Sequence, residues 1–210
     1  MGGMFDPVHR GHLEAARQLR DLLQLDSVRL VPCGVPVHRD SARASGAQRC
    51  AMLELAAAPF PWLQVDRREV QSPAPSWTYD TLQALRGELP EAGLYLIVGM
   101  DAFLNLPTWR RWTELTTLAH LIVCTRPGFS LDAQALDPAL AAFCRQHRVG
   151  DAAALWEQRA GLLYLAQLAT PDLSSTAVRA RAARGEALTD VVPAAVADYL
   201  TQQSLYRALS

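Results

Sequence analysis

The chain has 210 residues, half of them hydrophobic, and a formal charge of −1 from 20 basic and 21 acidic side chains interspersed along it. That length buries a sizeable core, most simply in one domain, and no Gly/Ser-rich linker divides it; the even charge leaves no basic stripe to make nucleic acid the main partner. No apolar run approaches the roughly eighteen residues of a membrane span and no signal-peptide pattern stands at the front, so a cytoplasmic protein is expected, with Cys33, Cys50, Cys124 and Cys144 as scattered reduced thiols.

In chain order, Gly2-Gly3 reads as a turn and Val8 to Leu23 as a helix with its apolar stripe from Glu14 onward. Only Met1 precedes the glycines, so the strand that should lead into such a turn in an open α/β sheet is expected to be missing or truncated. Val28 to Pro32 is a buried strand, Ala47 to Ala57 a helix, Leu63 to Val65 a weaker strand and Thr78 to Arg86 a helix. Leu94 to Val98 and Leu121 to Cys124 are strands on either side of a helix at Trp112 to Leu118. Leu131 to Arg159, rich in Ala and broken by Pro138, Gly150 and Asp151, reads as peripheral helix, loop and helix. Leu162 to Leu165 is a weaker strand, and from Ser174 two helices follow, broken near Gly185 and restarted at Pro193. Strands alternating with helices predict an α/β fold, a parallel sheet flanked by helices.

Two constellations carry chemistry. His9 and His12 are spaced to share the first helical turn, where free N–H groups and the positive dipole end favour an anion, and where imidazoles can donate to phosphate oxygens and, near pH 7, can be wholly or partly protonated. Taken singly, a Gly-Gly is a turn and a His near a helix start is a cap or surface residue. A zinc site would need a third ligand at regular spacing, which Asp6 and Glu14 do not supply in an HExxH-like pattern, so no protein-bound metal is expected. Ser174-Ser175-Thr176 followed by Arg179 sets hydroxyls at a helix start with a guanidinium on the same face, a second phosphate site or a plain cap with a surface Arg. Together, two helix N-termini would grip a triphosphate from opposite sides. The chain has no GxxxxGK[ST] loop, no GxSxG elbow and no strong two-carboxylate metal motif, which leaves direct in-line displacement at phosphorus, driven by positioning and charge neutralisation.

The run Gly2-Gly3-Met4-Phe5-Asp6-Pro7-Val8-His9-Arg10-Gly11-His12 resembles the HxGH nucleotidyltransferase superfamily. With His38-Arg39 after Val35-Pro36, Pro75-Ser76-Trp77-Thr78, Gly99-Met100-Asp101, Pro107-Thr108-Trp109, Arg126-Pro127-Gly128, Ser174 to Arg179 and Leu205-Tyr206-Arg207, in order over almost the whole chain, it is similar to bacterial nicotinate mononucleotide adenylyltransferases. The resemblance implies a single Rossmann-like nucleotidyltransferase domain over 1–210, with 131–160 peripheral and 174–210 its helical C-terminal part. It implies ATP and nicotinate mononucleotide as substrates and Mg2+ arriving with ATP. His12, His9 and Arg179 would be catalytic, with Ser175 and Arg179 on the β and γ phosphates and the histidines at the α phosphate. Gly2, Gly3, Met4, Phe5, Gly99, Asp101 and Ser174 would complete the ATP site. The mononucleotide would meet His38, Arg39, Thr78, the Tyr79 backbone, Trp109 as base platform, Arg110 and Arg126. On sequence alone the reading of Trp109 as a core or surface anchor stands ahead, Trp77 stands where that family more often has Tyr, and His38, Arg39 and Arg126 could equally be solvated loop residues. Pantetheine-phosphate adenylyltransferases and other HxGH enzymes remain the alternative, disfavoured by Pro-Thr-Trp, and a noncatalytic nucleotide-binding module a more distant one. Oligomeric state and the choice between nicotinate and nicotinamide are open.

Overall fold

The computed structural model describes residues 1–34, 42–129, 131–132 and 136–207. The chain forms two compact units, Met1–Pro75 with Thr170–Ser210, and Ser76–Ala169.

The first unit opens with β1 (Gly2–Gly3), α1 (Arg10–Leu23), β2 (Val28–Pro32), α2 (Gly46–Ala57), β3 (Leu63–Val65) and α3 (Arg68–Gln71). Its strands form a parallel sheet in the order β1-β2-β3, with Gly2 opposite Val31 and Val28 opposite Leu63. β2 has the near-continuous apolar run of a strand covered on both faces, four of its five residues being buried. α1 buries Ala15, Ala16, Leu19 and Leu23, the i, i+4, i+8 stripe of an amphipathic helix. It ends at Gln24, whose left-handed backbone (φ 51°) lets its N–H cap the Arg20 carbonyl. Gly2-Gly3, expected as a turn, is strand: the N–H groups of Val31 and Cys33 donate to the carbonyls of Met1 and Gly3, each at 2.9 Å. The reversal comes two residues later, at Phe5 (φ 50°) and a cis Asp6–Pro7 bond.

The second unit holds α4 (Thr78–Glu88), β4 (Tyr95–Gly99), α5 (Met100–Leu104), 3₁₀ turns at Leu106–Thr108 and Trp112–Glu114, α6 (Leu115–Leu118), β5 (His120–Thr125), α7 (Pro138–His147), β6 (Arg148–Val149), a 3₁₀ turn at Ala152–Trp156 and β7 (Leu163–Gln167). Its sheet is parallel, in the order β4-β5-β7-β6. Leu96, Val98, Phe103, Leu106, Leu121, Val123 and Leu163 form its core. The 131–159 stretch, expected as peripheral helix, loop and helix, gives among its described residues one helix, an edge strand and a 3₁₀ turn, and it is not wholly peripheral: α7, capped by the Asp137 carboxylate on the Ala139 and Leu140 amides, buries Leu140, Phe143 and Cys144 in that core. His120, fully buried, spends both ring nitrogens on the Gln158 carbonyl (2.9 Å) and the Leu162 N–H (3.2 Å), and is a structural residue.

The chain returns to the first unit for α8 (Ser175–Ala183) and α9 (Ala194–Gln202); Pro193 precedes α9, and α9 packs on α2. The parallel α/β architecture is as expected, with strands at 28–32 and 63–65 matching residue for residue.

Candidate functional site

The turn at 4–7 is where the first unit gathers its polar side chains. Phe5 adopts a left-handed backbone, which costs a non-glycine residue about 1 kcal/mol, and recovers it by burying its ring to 2% exposure. That ring folds back over β1: a Cβ on Gly3 would lie 3.1 Å from Phe5 Cζ, which is why the position is glycine. The Asp6 carboxylate, 5% exposed, accepts from the Arg43 N–H (2.9 Å), the Ala44 N–H (3.1 Å) and the Tyr206 hydroxyl (2.6 Å). Burial and the adjoining carboxylate push the Tyr206 phenol far above its ordinary range, so it remains a donor.

His9 is the N-cap of α1 and His12 its third residue; their rings stack with centroids 3.7 Å apart and planes at 24°, and the Phe5 ring meets His12 edge-on at 5.0 Å. The His9 backbone N–H donates to His12 Nδ1 at 3.2 Å, so that nitrogen is the acceptor and the neutral ring carries its proton on Nε2. Burial lowers His9 to about 4, and burial together with the neighbouring imidazole lowers His12 to about 3. Of the protonation states the sequence allows near pH 7, both rings therefore take the neutral one, because burial disfavours each imidazolium and a charged His9 would raise the cost of charging His12 further. Each can still donate one N–H to a phosphate oxygen. His9 Nδ1 is buried without a partner. Gly11 makes the stack possible, since a Cβ there would lie 3.0 Å from His9 Nδ1.

The expectation of several free amides at the start of α1 needs correction. The Arg10 N–H donates to the Val191 carbonyl (2.9 Å) and the His12 N–H to the His9 carbonyl (3.0 Å), leaving Gly11 as the first-turn amide without a partner among the described residues. The Arg10 side chain, left without a role by sequence, donates to the Thr189 carbonyl at 3.0 Å.

α8 reaches the same turn. Ser174 caps the helix by accepting from the Ala177 N–H, Ser175 Oγ donates to the Pro7 carbonyl (2.9 Å), and Arg179 donates to the Asp6 carbonyl (2.7 Å) and to Thr176 Oγ1 (3.1 Å). The predicted pair of helix starts is thus joined, with His9, His12, Ser175 and Arg179 assembled on residues 5–7. Sequence reasoning missed Arg49, which is 2% exposed and donates to the carbonyls of Met4 (2.9 Å) and Cys33 (2.7 Å). Its signal was present: an Arg inside the apolar stripe Cys50, Met52, Leu53, Ala56 is out of place unless something inside needs it.

The other predicted residues lie in the second unit, save His38 and Arg39, which fall outside the described residues. Thr78 and Tyr79 begin α4 after Trp77. Tyr79 is buried, at 6% exposure, and its ring is covered by the Arg111 guanidinium at 3.6 Å. Trp109 is half-buried, packs against the core and donates its N–H to the Leu106 carbonyl (2.9 Å), which spends that amide. Arg110 forms an exposed pair with Asp80 at 3.2 Å and sits 5.9 Å from the Trp77 ring. Gly99 closes β4 and caps α5, placing exposed Asp101 in its first turn, at a strand's carboxyl end. Arg126 follows β5, exposed.

No group of three or more His, Cys, Asp or Glu placed to hold a metal occurs among the described residues, none of the four cysteines is in a disulfide, and no described helix is long and apolar enough to cross a membrane.

The sequence pattern described as cytidylyltransferase-like matches residues 1–181. The chain belongs to the cytidylyltransferase-like family. Within reach of it, a probable nicotinate-nucleotide adenylyltransferase from Aeromonas hydrophila is 45% identical over 207 residues, 99% of this chain and 95% of that protein. One from Laribacter hongkongensis is 47% identical over 211 residues, 100% and 94% of the two chains. Among solved structures, Plasmodium falciparum nicotinic acid mononucleotide adenylyltransferase complexed with NaAD superposes with a TM-score of 0.70 over 98% of this chain and 94% of that one. At 16% identity that likeness shows a shared nucleotidyltransferase fold.

Proposed function

We propose that this member of the cytidylyltransferase-like family transfers AMP from ATP to nicotinate mononucleotide, giving nicotinate adenine dinucleotide and pyrophosphate in the cytoplasmic synthesis of NAD. The observation that carries the reading is the meeting of two helix starts, two stacked neutral imidazoles and one guanidinium on the turn at 5–7. The relatives' names support the acceptor.

In this reading the mononucleotide phosphate attacks the α phosphorus of ATP in line, that P–O bond forms as the bond to the pyrophosphate oxygen breaks, and no side chain is modified. His12 and His9 donate N–H bonds to the α phosphate as negative charge builds on its equatorial oxygens. Arg179, with the amides of Ser175 and Thr176, holds the β and γ phosphates. Trp109 is the platform for the pyridine ring, backbone N–H groups neighbouring it receive the nicotinate carboxylate, and Thr78 with the Tyr79 backbone forms the other wall. Asp101 accepts from a ribose hydroxyl, Arg110 and Arg126 supply positive charge towards the mononucleotide, and His38 with Arg39 binds the mononucleotide or the ATP phosphate. The one buried carboxylate at the turn, Asp6, already has three donors, so magnesium is carried by the ATP phosphates rather than by a protein cage.

The test is pyrophosphate release from Mg-ATP with nicotinate mononucleotide, nicotinamide mononucleotide and phosphopantetheine as parallel acceptors. Preference for the first is expected; turnover only with phosphopantetheine would replace this reading. His12→Ala should retain the fold and lose a hundredfold or more in kcat, roughly what one preorganised donor supplies.

A further inference from the structure

Arg49 stands on the buried side of α2 among Cys50, Met52, Leu53 and Ala56, at 2% exposure, a position where a permanently charged group is costly unless paired. It makes no ion pair among the described residues. Its guanidinium instead forks between two carbonyls, Met4 O at 2.9 Å and Cys33 O at 2.7 Å, and its Nε has no partner. Met4 is the residue after β1 and Cys33 the residue after β2, so one side chain ties the carboxyl ends of two neighbouring parallel strands together where the chain leaves β1 for the turn at Phe5.

The charge balance around that turn is uneven. Among the described residues Asp6 is its one carboxylate, and the donors on it are two amides and the Tyr206 hydroxyl, none of them charged. Arg179 and Arg49 both donate to main-chain carbonyls there. The two histidines are neutral, so two guanidiniums face one carboxylate, and a bound anion would supply the missing counter-charge.

We propose that Arg49 is a positioning residue of the polyphosphate site: through Met4 and Cys33 it fixes the exits of β1 and β2 that aim the turn, and its charge, which no carboxylate among the described residues pairs, adds to the potential that attracts the phosphates. This rests on the turn at 4–7 being the triphosphate end of the proposed reaction, and not on which mononucleotide accepts the AMP.

The experiment compares wild type, Arg49→Lys and Arg49→Met by thermal unfolding, by calorimetric binding of inorganic tripolyphosphate, and by steady-state kinetics with Mg-ATP. Arg49→Met should lose about tenfold or more in tripolyphosphate affinity, about 1.4 kcal/mol. Arg49→Lys, which keeps the charge but has no fork to span two carbonyls, should bind tripolyphosphate more tightly than Arg49→Met while its kcat falls about tenfold, a split that mere loss of stability would not produce. Wild-type affinity in a folded Arg49→Met protein overturns the proposal, as does a drop in unfolding temperature with unchanged affinity and kcat per folded molecule. If Arg49→Met does not fold, Arg49→Lys decides alone: wild-type kcat overturns the proposal, and lowered kcat with retained affinity supports it. Wild type that binds tripolyphosphate but adenylylates no mononucleotide defeats the proposed function and leaves the Arg49 comparison standing; wild type that does not bind it defeats this inference.

Discussion

Lowering the pH should destabilise this protein through its histidine stack. His9 is about 4 in the folded chain against 6.5 when exposed, so below pH 6.5 the unfolded state binds a proton that the folded state refuses. The stability contributed by keeping the ring neutral is fully present above pH 6.5 and drains away as the pH falls towards 4. At pH 5 the difference amounts to about 1.5 pH units, or about 2 kcal/mol at 1.36 kcal/mol per unit, out of a total that for a typical domain is roughly 5–15 kcal/mol. His12, lowered to about 3, adds a loss of the same sign over a window reaching about one unit lower. Urea unfolding at pH 8, 6 and 5, on wild type and a His9→Asn/His12→Asn double variant, isolates the effect from other titrating groups. The wild-type curve should fall more steeply by at least about 2 kcal/mol between pH 8 and 5; parallel curves would refute the idea that the stack is held neutral by burial. Tripolyphosphate should reverse the linkage, since an anion beside the rings favours their charged form, so calorimetry near pH 6 in buffers of different ionisation enthalpy should show net proton uptake on binding.

Gly11→Ala should leave stability within about 1–2 kcal/mol, the gain in helix propensity offsetting the 3.0 Å contact with His9, yet lower kcat about tenfold or more by shifting that ring; a thermal scan beside steady-state kinetics separates the two, and unchanged kcat would show that ring placement is not critical. Tyr206→Phe removes the 2.6 Å bond to buried Asp6 and should cost about 1–3 kcal/mol by urea denaturation; a loss under about 0.5 kcal/mol would mean the amides of Arg43 and Ala44 suffice. Trp109→Ala should raise the mononucleotide KM about tenfold with ATP affected less, as loss of a stacking face would; unfolding without a separate effect on KM would return Trp109 to a packing role.

What was legible in the sequence, and what was not, follows from the range of the interactions. Strands such as Val28–Pro32 and Leu63–Val65 announce themselves because burial on both faces forces an apolar run. The HxGH spacing announced a shared turn of helix, and Ser174 announced its cap, because both are set within four residues. The protonation state of the histidines was not legible, since it depends on Phe5 and on stacking that exists only after the chain reverses at 5–7. Nor was the bond from Tyr206 to Asp6, which spans 200 positions. Arg49 was readable as an anomaly in an apolar stripe; its partners were not, being two carbonyls with no residue-type signature.

The first unit divides charge and hydrogen bonding between different residue types, and the division suits a site that must bind a polyanion and release another. Guanidiniums keep their charge at any physiological pH, and here both are anchored on carbonyls rather than carboxylates, so among the described residues no internal anion would compete with the phosphates the proposed reaction brings. Imidazoles held neutral add donors without adding charge before the substrate arrives, and their proton affinity rises as an anion comes close. Positive charge at His9 and His12 would then be largest when negative charge on the transferring phosphoryl group is largest, and would fall again as pyrophosphate departs. A pair of permanently charged lysines in the same two positions would bind reactant, transition state and product more evenly, lowering KM while leaving the barrier to chemistry nearly where it was.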